Sequence, residues 1–223
     1  MLRVVYIGGF SAGKASVEKV CEALSKFYED VYPVTFSTYW RFLADYDAIK
    51  PELPLATKDA ALITHSAGAL ALELSLLRPK EAYLLNPPLP RNLGRLAVGA
   101  VVKTVRMHVP GCGIRTFGEL PEILRHDADS VIELVSHPAD NVAALRRISR
   151  FNAIISAAVA RQKRSLPVRA VWTEDDVFFK PSKLELNRAK VLKVPVTILP
   201  GEHDEVVLRP DEFLYGAFNN QDG

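Results

Sequence analysis

The chain has 223 residues, which is enough for one domain with a sizeable hydrophobic core. Charged residues make up 24% of it and the formal net charge is only +2, which argues against a nucleic-acid partner or a polybasic membrane anchor. The sequence holds no run of about 18 apolar residues, so we expect no membrane span.

The beginning of the chain and its cysteines bear on the cellular compartment and on cofactors. No charged segment followed by an apolar segment precedes the first strand, so we expect a cytoplasmic protein that is not secreted through a standard signal peptide. Cys21 and Cys112 form neither a metal-ligand spacing nor a C-x-x-C pair. The cysteines therefore suggest neither zinc nor redox chemistry, and we expect no metal and no organic cofactor.

The first predicted strand covers residues 4–7, an apolar run typical of a strand that is buried on both faces. A glycine-rich loop and an amphipathic helix follow it. The loop fits G-x-x-x-x-G-K from Gly8 to Lys14, the pattern of a phosphate-binding P-loop. That pattern requires a Ser or Thr next, to bind Mg²⁺, and the residue here is Ala15. A P-loop nucleotide-binding protein is therefore only the third interpretation of this chain.

A second strand is predicted over residues 31–36, and Pro33 favours an edge position because proline cannot donate a ladder hydrogen bond. The segment Thr38 to Ile49 is predicted to be helical, and its aromatic residues are expected to pack. Prolines at positions 51 and 54 mark a loop before the next strand.

The most informative segment is residues 60–70, where the apolar strand predicted over 59–65 runs into Ser66 and a helix predicted over 67–77. The pattern x-H-S-x-G matches a nucleophile elbow (G-x-S-x-G), in which a strained strand-to-helix turn projects the serine above the sheet. Ala67 and Gly68 supply the small neighbours, and Thr64 replaces the first glycine. The alternative interpretation is that Ser66 merely caps a buried helix.

After a strand at 82–86, the alternation of strands and helices disappears from Arg91 to about Ser165. Helices are predicted near residues 92–107, 118–126, 128–136 and 140–163, which indicates an insertion between two core strands. Its basic residues are expected mainly on solvated helix faces, with attraction of an anionic substrate as the alternative: Arg91, Arg95, Lys103, Arg106, Arg146, Arg147 and Arg150. Its histidines show no ligand spacing: His108, His126 and His137.

Two further strands are predicted over residues 168–172 and 194–199, with a helix near 181–190 between them and a closing helix that begins near Pro210. Adjacent acids, Asp175 and Asp176, follow the first of these strands, and His203 follows the second. A serine hydroxyl needs a base during attack, a histidine can serve near neutral pH, and a carboxylate must orient that histidine. The order of Ser66, an acid and His203 therefore predicts nucleophilic catalysis.

These features together resemble the α/β-hydrolase superfamily, whose triads run in the order Ser, acid, His. The resemblance implies that Asp176 is the acid, since it holds the fourth position of the family's Gly-x-x-Asp, with Asp175 as the alternative. It also implies that the backbone N–H groups of Phe10 and Ala67 form the oxyanion hole. The chain departs from the family pattern at Thr64 and at Gly8, which stands where a histidine often does.

The resemblance implies an α/β fold with a doubly wound, mostly parallel sheet of about six strands. This would be a reduced α/β-hydrolase fold that lacks two N-terminal strands common in the family. We expect residues 1–90 and 166–223 to form the core. Residues 91–165 would form a helical cap, or lid, over the site.

The sequence thus predicts a serine hydrolase that cleaves a small ester or thioester through an acyl-enzyme, with a small-molecule acyl substrate. The alternative is a non-catalytic, hydrolase-like binding protein, for which Thr64 and Gly8 leave room. Retention of Ser66, the acid and His203 argues against it, since a protein without activity has no reason to keep all three.

Overall fold

The computed structural model describes residues 3–10, 12–35, 58–73, 78–108, 124–125, 128, 131–132 and 138–219, with the backbone alone at 104–108 and 138–140. Several predictions fall outside these residues: the helix at 38–49, Cys112, His126, His137 and most of the two helices expected near 118–126 and 128–136.

In the described part of the chain, six strands form one parallel sheet. They are β1 (Arg3–Ile7), β2 (Asp30–Val34), β3 (Ala61–His65), β4 (Glu81–Leu85), β5 (Val168–Thr173) and β6 (Val196–Leu199). The spatial order is β2-β1-β3-β4-β5-β6, and every neighbouring pair is parallel. The predicted doubly wound sheet of about six strands is confirmed. Pro33 lies in β2 at the sheet edge, as its missing N–H donor predicts.

Helices cover both faces of this sheet. They are α1 (Lys14–Leu24), a 3₁₀ helix (Ser66–Glu73), α2 (Leu93–His108), α3 (Pro138–Ile148), α4 (Ala153–Arg164), α5 (Lys183–Val191), α6 (Glu205–Leu208) and α7 (Pro210–Asn219). None of the helices described is both long and apolar enough to pass through a bilayer.

Alternate side chains of each strand enter different cores. Val5 and Ile7 of β1 pack with the 3₁₀ helix and α4 on one face. Val4 and Tyr6 pack with α1 and α7 on the other. All four side chains are fully buried, as expected for a strand in the interior of a parallel sheet.

The strand order creates a crevice between β1 and β3. The connection after β1 leads outward to β2, and the chain then returns to place β3 on the opposite side of β1. Helical connections that leave in opposite directions open a crevice at the carboxyl ends of the two strands, where α/β proteins bind ligands. The loop Gly8–Phe10 follows β1 and Ser66 follows β3, so both segments lie at this point.

Two predicted helices differ in detail from the structure. The helix expected over 67–77 is a 3₁₀ helix, Ser66–Glu73, within the residues described. The single helix expected over 140–163 is two helices, α3 and α4, with a break at residues 149–152. Phe151 turns into the core at the break, and Asn152 starts α4 because its side chain accepts a hydrogen bond from the Ile155 N–H at 3.2 Å.

Helix α4 packs against the sheet rather than standing apart from it. Its buried face, which includes Ile154 and Ala157, joins the same core cluster as β1 and the 3₁₀ helix. The carboxyl-terminal part of the segment 91–165 therefore contributes to the core layer. Division of the chain into a core and a cap at residues 91 and 165 stays a prediction.

Replacement of Gly68 by alanine is expected to lower the free energy of unfolding by about 1–3 kcal/mol, the usual cost of overpacking. A Cβ at Gly68 would lie 2.6 Å from the Ile7 carbonyl oxygen and 2.9 Å from that of Gly8. Both atoms belong to the backbone at the end of β1, so relief requires a shift of the strand. Urea unfolding of Gly68→Ala measures this effect.

The matched control is Gly94→Ala in α2, where the nearest atom to the new Cβ would be Asn92 Oδ1 at 3.6 Å. This change is expected to leave stability unchanged or to raise it by up to about 1 kcal/mol, the difference in helix propensity. Equal destabilisation by both substitutions would contradict a special packing constraint at Gly68.

Candidate active site

Ser66 lies on a sharp turn between β3 and the 3₁₀ helix. Its backbone φ is +48°, in the left-handed region that non-glycine residues seldom adopt. The strand ends at the preceding residue and the helix begins at Ser66 itself. This is the strained strand-to-helix turn that the elbow pattern predicts, and such strain persists only where the surrounding structure holds it.

The loop after β1 packs directly on this turn. A Cβ at Gly9 would lie 3.2 Å from Ser66 Cβ and 2.9 Å from His65 Nδ1, so glycine permits a contact that a larger residue would block. Phe10 is the next residue in the loop, and Ala67 is the next residue after Ser66. The two segments that the family resemblance assigns to an oxyanion hole are therefore adjacent.

These contacts also bear on the P-loop interpretation. The side chain of Lys14, which would have to reach a bound phosphate, is 83% exposed and lies 3.6 Å from the Glu18 carboxylate. The loop packs against the Ser66 turn through Gly9. The geometry favours a role for the loop beside Ser66.

His203 and Asp176 form a buried hydrogen bond. His203 Nδ1 lies 2.9 Å from Asp176 Oδ2. Since a carboxylate only accepts hydrogen bonds, Nδ1 carries the proton and the neutral ring presents Nε2 as an acceptor. The other oxygen, Asp176 Oδ1, accepts from the backbone N–H groups of Phe178 and Phe179 at 2.8 and 2.9 Å. The carboxylate is thereby fixed in place.

The structure distinguishes the two adjacent acids. Asp176 is buried and contacts His203, whereas Asp175 is exposed and its backbone N–H donates to the Gly201 carbonyl oxygen at 2.9 Å. Successive side chains of an extended loop point in different directions. Only Asp176 therefore reaches the imidazole.

The surroundings of His203 favour its protonated form. Burial lowers the pKa of His203, but the charge of Asp176, its hydrogen bond and the charge of Asp204 together outweigh burial, so the pKa is raised above its usual value. Lys103 acts in the opposite direction. A histidine with this environment can take up a proton in a largely dry site.

Ser66 and His203 lie in the same site but are not joined directly. Across the residues described, the hydrogen bonds include none between Ser66 and His203. The rings of His65 and His203 lie with centroids 5.0 Å apart and planes inclined by 38°, which brings His203 against the residue before Ser66.

Two residues of this site, His65 and Asn86, were not predicted from the sequence. His65 Nε2 donates to the His203 carbonyl oxygen at 3.1 Å, and Asn86 Nδ2 donates to the same oxygen at 2.8 Å. The available signals were a histidine at the end of a buried strand, directly before the candidate nucleophile, and an Asn-Pro-Pro sequence at the end of β4. Neither signal names its partner.

The two histidines have opposite electrostatic environments. Burial lowers the pKa of His65 to about 3, and the charge of His203 adds to this effect. The carboxylates of Asp204 and Asp176 and the hydrogen bond to the His203 carbonyl oppose the shift but do not cancel it. His65 is therefore a neutral hydrogen-bond donor at physiological pH.

Among the residues that the structure describes, one group of side chains has the donor atoms of a metal site: His65, His203 and Asp204 offer ligand atoms within 4.8 Å of one another. One nitrogen of each ring donates a hydrogen bond, His65 Nε2 and His203 Nδ1, while His65 Nδ1 is buried with no hydrogen-bond partner. Asp204 Oδ2 lies 2.5 Å from Lys103 Nζ. An ammonium group thus occupies the position where a cation would need the carboxylate. Lys103 therefore already balances the charge of the Asp204 carboxylate.

Helix α2 packs on the loops that carry Asp176 and His203. Its Lys103 pairs with Asp204, the residue after His203. At Gly99 the helix comes so close that a Cβ would lie 3.0 Å from the Phe178 ring. That ring in turn meets His203 edge to face, with centroids 5.0 Å apart. His203 therefore contacts an aromatic ring on which α2 packs.

No family model and no curated protein matches this sequence. Solved structures are similar in fold. An esterase from Thermogutta terrifontis is 17% identical with a TM-score of 0.60, covering 96% of this chain and 86% of its own. An alpha/beta hydrolase enzyme from a Medee basin deep-sea metagenome library is 14% identical with a TM-score of 0.56, covering 100% and 90%. The chain has the α/β-hydrolase fold.

The thioesterase domain from the curacin biosynthetic pathway is also similar in fold. It is 16% identical with a TM-score of 0.56 and covers 96% of this chain and 89% of its own. The resemblance to the α/β-hydrolase fold that the sequence predicted from the elbow and from the order Ser66, Asp176, His203 is confirmed. At these identities the likeness establishes the fold, and fold does not by itself assign a reaction.

The pKa of His65 predicts a specific loss of stability in acid. In the unfolded chain a histidine titrates near 6.5, whereas the pKa of folded His65 is about 3. The unfolded state therefore binds a proton that the folded state does not, and the free energy of unfolding should decrease as pH falls from about 6.5 toward 3. Urea unfolding at a series of pH values measures this slope, which should be shallower in His65→Gln.

The raised pKa of His203 acts in the opposite sense. Its stabilising contribution is fully present below about 6.5, the unfolded value, and is lost as pH rises through the folded pKa. Histidine-ring NMR should accordingly show His203 titrating above 6.5 and His65 not titrating between pH 5 and 8. Equal acid slopes in the parent and in His65→Gln would contradict the assignment for His65.

Proposed function

We propose that this protein is a serine hydrolase that cleaves a small ester or thioester through an acyl-enzyme on Ser66. The observation that carries the proposal is the buried hydrogen bond between His203 Nδ1 and Asp176 Oδ2, at 2.9 Å, beside the strained turn at Ser66. A neutral histidine held in this tautomer presents Nε2 as a base. A structural ion pair would have no need of the strained serine next to it.

In the proposed reaction, Ser66 Oγ attacks the substrate carbonyl carbon while His203 Nε2 takes the hydroxyl proton. The oxyanion that forms accepts hydrogen bonds from the backbone N–H groups of Phe10 and Ala67. Collapse of this intermediate expels the alcohol or thiol, which receives its proton from His203, and leaves the acyl group on Ser66. Water then repeats the sequence, so that a carboxylic acid is released and the serine is restored.

The surroundings of His203 support this mechanism. Asp176 and Asp204 raise the pKa of His203 despite its burial, so they stabilise the imidazolium that forms as the serine proton is transferred. The same shift predicts that the rate falls in acid, because a protonated His203 cannot act as a base. The decline should begin above pH 6.5.

The substrate class draws support from the similar structures. They include an esterase and a thioesterase domain, both of which act on acyl groups. We further propose that helix α2 belongs to a cap over the site, since it packs on the acid loop at Gly99 and pairs with the base loop through Lys103. A cap of this kind excludes water and shapes the acyl pocket.

A second candidate is a non-catalytic binding protein with the same fold. It is favoured by one observation, that the described hydrogen bonds include none between Ser66 and His203. Thr64, which stands where the elbow pattern has glycine, adds to it. The two candidates differ in whether Ser66 is an activated nucleophile.

Covalent labelling with a fluorophosphonate probe, followed by peptide mapping, tests the proposal directly. We expect an adduct on Ser66 in the parent and none in Ser66→Ala. Hydrolysis of p-nitrophenyl esters of increasing chain length then measures the acyl pocket. If a folded sample of the parent forms no adduct and cleaves no ester, the binding-protein candidate replaces the hydrolase.

The adjacent acids provide a matched pair of variants. Asp176→Asn is expected to lower kcat by about 10⁴-fold, the typical effect when the histidine loses its orienting carboxylate. Asp175→Asn removes the same charge one residue away, at an exposed position, and should leave kcat near that of the parent. Similar losses in both variants would show that charge, and not contact with His203, is what matters.

A further inference from the structure

The backbone carbonyl of His203 is held by two side chains from neighbouring strands. His65 is the last residue of β3 and donates from Nε2 at 3.1 Å, while Asn86 directly follows β4 and donates from Nδ2 at 2.8 Å. Both residues are at least 97% buried. A carbonyl oxygen has two lone pairs, and here each lone pair has a donor. The peptide of His203 is thus attached to the ends of two interior strands.

Asn86 also connects this peptide to the segment that carries Asp176. Its Oδ1 accepts from the backbone N–H of Thr173 at 2.8 Å and from the Thr173 hydroxyl at 3.2 Å. Thr173 ends β5, three residues before Asp176. Asn86 itself has φ +46°, a conformation that asparagine tolerates better than most residues. One amide therefore links the acid-bearing and the base-bearing segments.

We propose that His65 and Asn86 are positioning residues that hold the His203 carbonyl so that the imidazole stays aligned between Asp176 and Ser66. The inference rests on the proposed serine hydrolase function. Neither residue touches the substrate, and each acts through His203. Asp176 orients the ring of His203, whereas His65 and Asn86 fix the backbone from which the ring projects.

The chemistry of His65 suits this task. A hydrogen bond to a carbonyl requires a donor, and the buried ring is neutral with its proton on Nε2. Its ring also packs beside that of His203, with centroids 5.0 Å apart. Without this donor the carbonyl oxygen retains only Asn86, and the loop can shift. A displacement of about 1 Å at a reacting group can cost about 100-fold in rate.

A matched pair of substitutions at His65 tests the donor. Gln and Met have side chains of similar length, but only Gln carries an N–H at its end. His65→Met is expected to lower kcat by about 10- to 100-fold for a p-nitrophenyl ester, with KM unchanged. His65→Gln should recover most of that loss. Both variants lose the same ring, so their thermal midpoints should be similar.

Three kinetic results would contradict the positioning role of His65. Equal kcat values for the Gln and Met variants would overturn the proposal, because the donor would then be irrelevant. A change in KM with kcat intact would also overturn it, since that result describes substrate binding. A loss in kcat that follows the thermal midpoint across the variants would reduce His65 to a packing residue.

Asn86→Asp tests the second donor. The carboxylate keeps an acceptor for Thr173 but replaces the N–H that faces the His203 carbonyl with an oxygen. We expect kcat to fall at least tenfold and the acid limb of the pH–rate profile to move to higher pH. A new negative charge would join Asp176 and Asp204 near His203, opposed by Lys103. An unchanged profile with parental kcat would contradict a positioning role for Asn86.

A spectroscopic readout keeps this inference separate from the proposed reaction. In ¹⁵N-labelled protein, loss of the His65 ring should shift the ring resonances of His203 equally in both variants. Beyond this common shift, the resonances should match those of the parent in His65→Gln and differ from them in His65→Met. If the parent forms no phosphonate adduct, the proposed reaction fails, and this comparison still decides whether His65 holds His203. Identical His203 resonances in the Gln and Met variants would overturn the positioning role even in an active enzyme.

Discussion

Parallel pairing of all six strands is the constraint on which the rest of the structure depends. Parallel strands end at the same edge of a sheet, so loops far apart in sequence meet there. The reversal of strand order between β1 and β3 then opens a crevice at that edge, and Ser66 and Gly9 lie in it. Asp176 and His203 arrive from β5 and β6 at the same edge.

Burial gives this edge its electrostatic character. The ring centroids of His65 and His203 are 5.0 Å apart, yet burial lowers the pKa of His65 to about 3 while the pKa of His203 is raised. The difference follows from their partners, because His203 Nδ1 faces a carboxylate and His65 Nε2 faces a carbonyl oxygen. In a region of low dielectric, a carboxylate partner favours the imidazolium, and burial without a charged partner favours the neutral ring.

Much of the fold and part of the candidate site could be predicted from local patterns. Apolar runs bounded by glycine or proline identify interior strands, since their side chains must be buried on both faces. The small residues around Ser66 indicate a strained turn, and the chain order of Ser66, an acid and His203 indicates an α/β-hydrolase arrangement. Helix boundaries were harder to predict. Phe151 enters the core and Asn152 begins a new helix within a segment that was predicted as one helix.

The sequence by itself determined which strand each candidate residue follows: a serine follows the third strand, an acid the fifth and a histidine the sixth. Only the tertiary structure showed which of Asp175 and Asp176 contacts His203, because adjacent residues share their sequence context but not their direction. It alone brought His65 and Asn86 to the His203 carbonyl, across separations of 138 and 117 residues. Such contacts have no local signature, since they exist only when parallel strands bring their ends together.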